Sequence, residues 1–459
     1  MQHGGYRRAV ASALAIVGLA SLPGLPVQAR SISTPPSLAR AQYGRLDRAH
    51  AGAVNIRQLA QQPRTAHPRI AAPAILRHPK AASSAPAPLA LPSPPQGTTE
   101  EQLTVFQGMD VATASGTFSD QNIEPPDTQV AAGPTSVVEM VNANMSIWSK
   151  SGAQLAPLVD LNAFYGIPGG YGISDPRVVY DASSSRFLAS AFALNANNDS
   201  NVYLAVSNTS DPTGTWFHWL VRNTAATITD QPKVGYSDDK VTMSWGEFVA
   251  PPCQGQSTFY CFNGQVTLVV QKSDVLAVPQ NLSPRFAVLG PDLSEFGIVP
   301  AQSLSSTSAQ YEVYNNADPY NLVENQCAQQ VNALYGPCPT LGMVVITGTP
   351  AGSNLSMGEV DPPMADTTLP PNAFQPGTAA RLQTGDDRLL NAVWRNNMIW
   401  TSLTDGNLCS TVRPMTEPAG SCARVIEAST TSFTLQQVLQ LGSSGDYFFY
   451  PAVSPDSFG

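Results

Sequence analysis

Residues 174–194, SDPRVVYDASSSRFLASAFAL, and residues 229–248, TDQPKVGYSDDKVTMSWGEF, decide the fold. Each opens on an Asp, runs through a short strand rich in Val, turns on polar residues and continues into a second apolar strand. The same order of events begins at Pro126 (PDTQVAAGPTSVVEMVNA), at Gly385 (GDDRLLNAVWRNNMIWTSL) and at Gly445 (GDYFFYPAVSPDSFG), with a weaker member from Phe296 through Tyr314. A third strand follows several of them, as in NVYLAVS from Asn201, QVTLVVQ from Gln265 and LGMVVIT from Leu341.

Asp127, Asp175 and Asp230 stand 48 and 55 residues apart. Four short strands with their turns need about 40–50 residues, which is the length of one propeller blade. The reading is therefore all-β: a propeller of five or six blades over residues 105–459, its last blade apparently truncated at Gly459. A β-sandwich is the alternative, but it gives no reason for a unit to recur.

Composition agrees. Of 459 residues only 12% are charged, about half of what soluble domains usually carry, while 40 Pro and 34 Gly would interrupt long helices. Mean hydropathy is −0.09, and no stretch after the first thirty residues approaches the ~20 apolar residues of a membrane span. The net charge of −9 averages two unlike parts, +10 over residues 1–97 and −19 over residues 98–459. An acidic body of this kind repels nucleic acid, which is excluded as its partner.

The first 29 residues have the parts of a secretory signal: Arg7 and Arg8, an apolar run from Ala9 to Leu22, and small residues at Val27-Gln28-Ala29. Residues 30–104 form a basic, Pro/Ala-rich arm read as disordered, with the segment from Leu38 to Leu59 as a candidate short helix. It is a linker, a cleaved propeptide or a tether to an anionic cell surface. Six cysteines fall in three couples, Cys253 with Cys261, Cys327 with Cys338, and Cys409 with Cys422. Local disulfides are expected, since no Cys-x-x-Cys spacing or nearby His suggests zinc. The expected location is secreted or periplasmic.

Within the second unit, Thr209-Ser210-Asp211-Pro212-Thr213-Gly214-Thr215-Trp216 resembles the Asp-box turn of sialidases, with one extra residue between Asp211 and Gly214. The units as a set resemble secreted bacterial β-propellers of the broad sialidase-like and glycosidase-like class. No Arg-Ile-Pro motif accompanies the turn, so the resemblance implies an architecture and not an activity.

Chemistry is sought where unit openings meet the mouth of the central channel. Asp230 and Glu247 are expected on one face, with Asp127, Asp175 and Asp387 around the same rim. A glycosidase needs one carboxyl kept protonated and a second acting as base or nucleophile. Tyr165, Tyr171, Trp245 and Phe248 are the aromatics proposed to stack on sugar rings. Asp at a strand start also commonly fastens its own turn, and Trp148, Trp216, Trp219, Trp394 and Trp400 are expected to pack between units. No cofactor is required, and calcium is a candidate occupant of a carboxylate ring. Four of the five histidines precede residue 98, leaving His218 alone in an apolar run, so Ser-His-Asp and multi-His chemistry are set aside. Two function classes stay open: a secreted propeller that binds a glycan, polymer or protein on its top face, and a glycosidase-type hydrolase on the same scaffold.

Overall fold

The structure is a computed structural model that describes residues 41–59, 61, 105–110, 125–250, 260–293, 295–316, 340–365, 367–375, 377–406, 420–442 and 446–456. The signal segment, most of the arm, and Cys253, Cys327, Cys338 and Cys409 lie outside them. Cys261 and Cys422 each open a strand, and neither is a free thiol.

Five runs of four antiparallel strands follow one another along the chain, and the short strand Gln302–Ser303 pairs in parallel with the first strands of the third and fifth, joining them in one sheet. The first consists of Gln129–Ala132, Ser136–Val141, Asn144–Ser149 and Gln154–Asp160. The second consists of Tyr171–Asp181, Arg186–Asn195, Ser200–Ser207 and Thr215–Thr224. The third runs through Thr227–Tyr236, Lys240–Val249, Cys261–Gln271 and Arg285–Asp292. The fourth, the weak member in sequence, has a two-residue first strand, Val299–Pro300, then Gln310–Asn315, Leu341–Thr347 and Ser356–Val360. The fifth comprises Leu389–Arg395, Met398–Asp405, Cys422–Ser429 and Thr434–Leu441. Their sequences are near-continuous apolar runs because both faces of the middle strands are covered; Arg186–Asn195 and Ser200–Ser207 are almost wholly buried.

The units are locked to one another by a hydrogen bond that recurs. Ser190 of the second unit donates to the carbonyl of Pro232 in the third (2.7 Å), and Ser244 of the third donates to Ile298 at the start of the fourth (2.7 Å). Asn315 of the fourth donates to Asp387 at the start of the fifth (2.8 Å). Ser402 of the fifth donates to Pro451 in the C-terminal segment (3.0 Å). Each donor sits on a second strand, and each acceptor lies ahead of the next unit's first strand or, for Pro232, within it. The segment Tyr450-Pro451-Ala452-Val453 thus occupies a sixth first-strand position. It is held by Asn391 and Thr404, but among the described residues it pairs with no strand.

Part of the arm is ordered, against expectation. Gln42–Arg45 adds a fifth strand to the outer edge of the third unit, and Ala51–Asn55 does the same for the second. The candidate helix is reduced to one turn each at Arg48–His50 and Ile56–Leu59. The reason is edge chemistry. Arg285–Asp292 and Thr215–Thr224 each offer a row of free backbone groups, and pairing with them satisfies more groups than a short isolated helix could. Ile56, fully buried, anchors the end of this segment.

Candidate functional site

A second feature recurs where the first four units and the C-terminal segment begin. Asp127, Asp175, Gln231, Gly297 and Tyr450 all have left-handed backbone, with φ of 45°, 50°, 50°, 70° and 52°. Four of the five are not glycine, and such conformations are costly for ordinary side chains. In the second and third units the ladder register slips at this point, between Ser174 and Arg177 and between Asp230 and Lys233. A bulge of this kind re-aims side chains at a strand end. The recurring bond to the carbonyl of Pro232 and of Asp387 makes Gln231 and Asp386 the equivalents of Asp175, one residue away from Asp230 and Asp387. The residue two positions further on is Gln129, Arg177, Lys233, Val299 or Arg388 in successive units.

These openings bring Asp127, Asp175 and Asp230 together. The charges of Asp127, Asp175 and Asp230 act on one another, and the Gln231 N–H brings the strand that carries Asp230 onto Asp175. All three are half-buried and keep some contact with solvent. Asn142 clamps the first two: its Nδ2 donates to Asp127 Oδ2 (2.6 Å), and its Oδ1 accepts from the Asp175 N–H (2.8 Å). Asp175 also accepts from Ser174 Oγ (2.9 Å) and from the Gln231 N–H (3.2 Å).

Cations lie around the acids. Arg177 reaches Gln129 (3.1 Å), and Arg388 forks onto Asp386, stacks over Phe296 and touches Gln231 (3.2 Å). Lys233 is buried and donates to the Gly297 carbonyl (3.4 Å).

Burial dominates the electrostatics. It pushes Asp127 up to about 7, with the charge of Asp175 adding to the effect. It pushes Asp175 up to about 6, with Asp230 as the next cause. Asp230 is raised by burial as well, against the pull of Arg388 and Lys233. Lys233 is lowered to about 7, first by burial and then by the two arginines. Tyr450 is raised by burial and then by the charges of Asp386 and Asp127, and its ring lies against Gly385 ahead of the fifth unit. Groups of opposite type titrating near neutrality, side by side, are able to donate and accept protons.

Other expected site residues lie elsewhere. Glu247 is buried and paired with Arg222 (2.8 Å). The ladder sets Asp230 opposite Gly246 and Glu247 opposite Thr229, so the two carboxyls leave opposite faces of the sheet. Asp387 is fully buried, accepting from Thr367 (2.6 Å), and it is Asp386 that joins the cluster.

Tyr165, Trp245 and Phe248 are core side chains: Tyr165 packs on Phe164 and Tyr203, and Phe248 on Phe262 and Phe296. Tyr171 is half-buried opposite Asn195. The aromatic that does stand open beside the acids is Tyr450, 53% exposed, which sequence reasoning did not single out. Its Tyr-Pro-Ala-Val context matches Asp175-Pro-Arg-Val and Gln231-Pro-Lys-Val, a signal present in the sequence. The Asp-box-like turn fastens a hairpin: Asp211 accepts from the N–H (3.0 Å) and hydroxyl (2.6 Å) of Thr213 and pairs with Arg57 of the arm (2.8 Å).

A further group of acids lies between the third and fourth units. Asp292, Glu295 and Glu312 line a cavity of about 10 Å³, room for roughly one water, with Gln265 and Thr267. Glu359, bonded to Tyr314, and Asp361 lie close by. Burial pushes Glu312 up to about 8 and Glu359 to about 7, the latter also through Asp361. Among the described residues no group of three His, Cys, Asp or Glu could hold a metal ion.

No protein-family model and no curated protein matches this chain. Among solved structures it is similar to a thermostable family-43 glycoside hydrolase, at 10% identity and TM-score 0.30, covering 72% of this chain and 96% of the other. It is similar to an endo-1,5-α-L-arabinanase from Thermotoga petrophila RKU-1 at 12% identity and TM-score 0.25, covering 68% and 94%. A GH43_1 enzyme from Xanthomonas citri complexed with xylose follows at 12% and 0.23, covering 52% and 88%.

Proposed function

We propose that the five units are blades of a β-propeller and that Asp127, Asp175 and Asp230 form a carbohydrate-directed acid–base site at their meeting point. One observation carries the reading: the openings of three consecutive units are tied together at their carboxyls, Asn142 joining Asp127 to Asp175 and Asp175 accepting from the Gln231 N–H next to Asp230. Asp127, protonated near neutral pH, is suited to assist a leaving-group oxygen. Asp230, which the charges of Arg388 and Lys233 pull towards its ionised form against burial, is the second carboxyl of the pair, with Asp175 between them. Tyr450 offers an open ring beside them for a sugar face. Binding without turnover is the second reading, favoured by the way Asn142 and the Gln231 N–H tie Asp127 and Asp175 to neighbouring backbone.

Export belongs to the same proposal. It rests on the signal-like residues 1–29 and on local disulfides, Cys253–Cys261, Cys327–Cys338 and Cys409–Cys422. Calcium at the carboxylate rim is not required by this mechanism.

The test is hydrolysis of a panel of aryl glycosides and plant and bacterial polysaccharides. Asp127→Asn should lower any activity found by about a hundredfold or more, with folding unchanged by circular dichroism. Equal turnover by wild type and Asp127→Asn would remove the assignment. Retention on a glycan array by both proteins, without turnover, would favour binding.

A further inference from the structure

The second and third strands of the first unit are joined by a turn of two residues, 142–143, whereas the other four units carry loops of four residues or more at this point. The short turn sets the Asn142 amide between two unit openings. Its Nδ2 donates to the Pro125 carbonyl (2.7 Å) and to Asp127 Oδ2 (2.6 Å). Its Oδ1 accepts from the Asp175 N–H (2.8 Å) and, at longer range, from Ser174 Oγ (3.4 Å). Both hydrogens and the oxygen of the amide are therefore in use. Turned over, the amide would set its oxygen against a carbonyl and a carboxyl and its nitrogen against an N–H, so its orientation is fixed.

We infer that Asn142 is a positioning residue of the acid–base site: it holds Oδ2 of Asp127 as an acceptor, leaves the acid's proton on Oδ1, and fixes Asp127 beside the opening that carries Asp175. The inference rests on the reading of Asp127 as the acid. An oxygen that accepts an N–H serves as the C=O oxygen of a neutral carboxyl, so the O–H is the other one. When Oδ1 passes its proton to a leaving-group oxygen, Asp127 is left as a carboxylate. The same Nδ2–H then becomes a charge-assisted donor that stabilises it. Asp175 has donors on both oxygens, Ser174 Oγ on Oδ1 (2.9 Å) and the Gln231 N–H on Oδ2 (3.2 Å), a pattern that suits the ionised form. The titratable groups that interact with Asp127 are Asp175 and Arg177 of the second unit, Asp230 of the third and Tyr450 of the C-terminal segment, while Lys233 and Arg388 act on Asp230.

The experiment follows Asp127 itself, by pH-difference infrared spectroscopy on the full chain. Asp127→Asn identifies its carboxyl band, and melting temperature checks folding. Burial raises Asp127 to about 7, and the Asn142 bond pulls the other way. Asn142→Ala should therefore move the midpoint up from about 7 by about one pH unit. Asn142→Asp keeps an acceptor for the Asp175 N–H but sets an oxygen against Asp127 Oδ2, so the midpoint should rise at least as far. On a substrate that the wild type turns over, both variants should lose about tenfold or more in kcat, and the alkaline limit of the rate should move with the infrared midpoint. An unchanged midpoint in folded Asn142→Ala overturns the inference, whether or not the wild type turns anything over. A midpoint that moves while turnover keeps the wild-type pH profile supports the hold of Asn142 on Asp127 and instead removes Asp127 from the role of acid.

Discussion

Glu312→Gln should make the protein more stable at alkaline pH. The side chain is fully buried on the second strand of the fourth unit, its Oε2 is 3.5 Å from Thr267 Oγ1, and its Oε1 has no partner. Burial raises the carboxyl from 4.5 to about 8. The folded protein therefore holds a proton that the unfolded chain has already lost above pH 4.5, and this contribution to stability is complete below pH 4.5. It is lost as the pH rises towards 8. The interval corresponds to about 5 kcal/mol, at roughly 1.4 kcal/mol per pH unit. Glutamine keeps the shape and cannot ionise. Urea unfolding at pH 5 should show the two proteins close together. At pH 9 the variant should be ahead by several kcal/mol, or on the order of 5–10 °C in the melting midpoint for a body of this size. A variant equal to or weaker than wild type at pH 9 would refute the reasoning, since it would mean that Glu312 is ionised and satisfied in the folded state.

Three further outcomes are expected. Lys272 and Asp181 form a buried ion pair at 2.6 Å, so Lys272→Met should cost about 3–5 kcal/mol by stranding the carboxylate, measured by denaturant unfolding. Replacing both partners at once should cost much less. In Gly52→Val, the first added carbon would sit 2.3 Å from the His218 ring, so Ala51–Asn55 should detach and become sensitive to limited proteolysis, while the units keep their far-ultraviolet spectrum. Any turnover by the Asp127 site should fall as the pH passes about 7, because Asp127 must carry its proton to act as an acid. A rate flat to pH 9 would exclude it from that role.

The repeat was legible because buried middle strands leave long apolar runs between polar turns. The residue that mattered in each opening was harder to read. Matching the units by their Asp selects Asp230 and Asp387, whereas the recurring hydrogen bond to the carbonyl of Pro232 and of Asp387 matches them one residue earlier, at Gln231 and Asp386. Asp230 reaches the cluster all the same, since the bulge after it turns the chain inward. Glu247 and Trp245 stand near Asp230 in sequence, but strand alternation and the Arg222 pair direct Glu247 away from it. The arm strands could not be seen at all. Their partners are 160 and 238 residues away, as in Asn55 with Thr215 and Arg45 with Ser283, and no local pattern encodes a pairing at that distance.

That distance also orders events in time. Gln42–Arg45 and Ala51–Asn55 are made early, yet the edges they complete exist only after Thr224 and Asp292 have been synthesised and their sheets have formed. Closing so long a loop is slow compared with closing the hairpins inside each unit. The arm strands are therefore late to dock, and two sheet edges stay open to other chains until they do. Conditions that hold up this last step, such as dilute denaturant or a clash at Gly52, should show themselves first as aggregation during refolding.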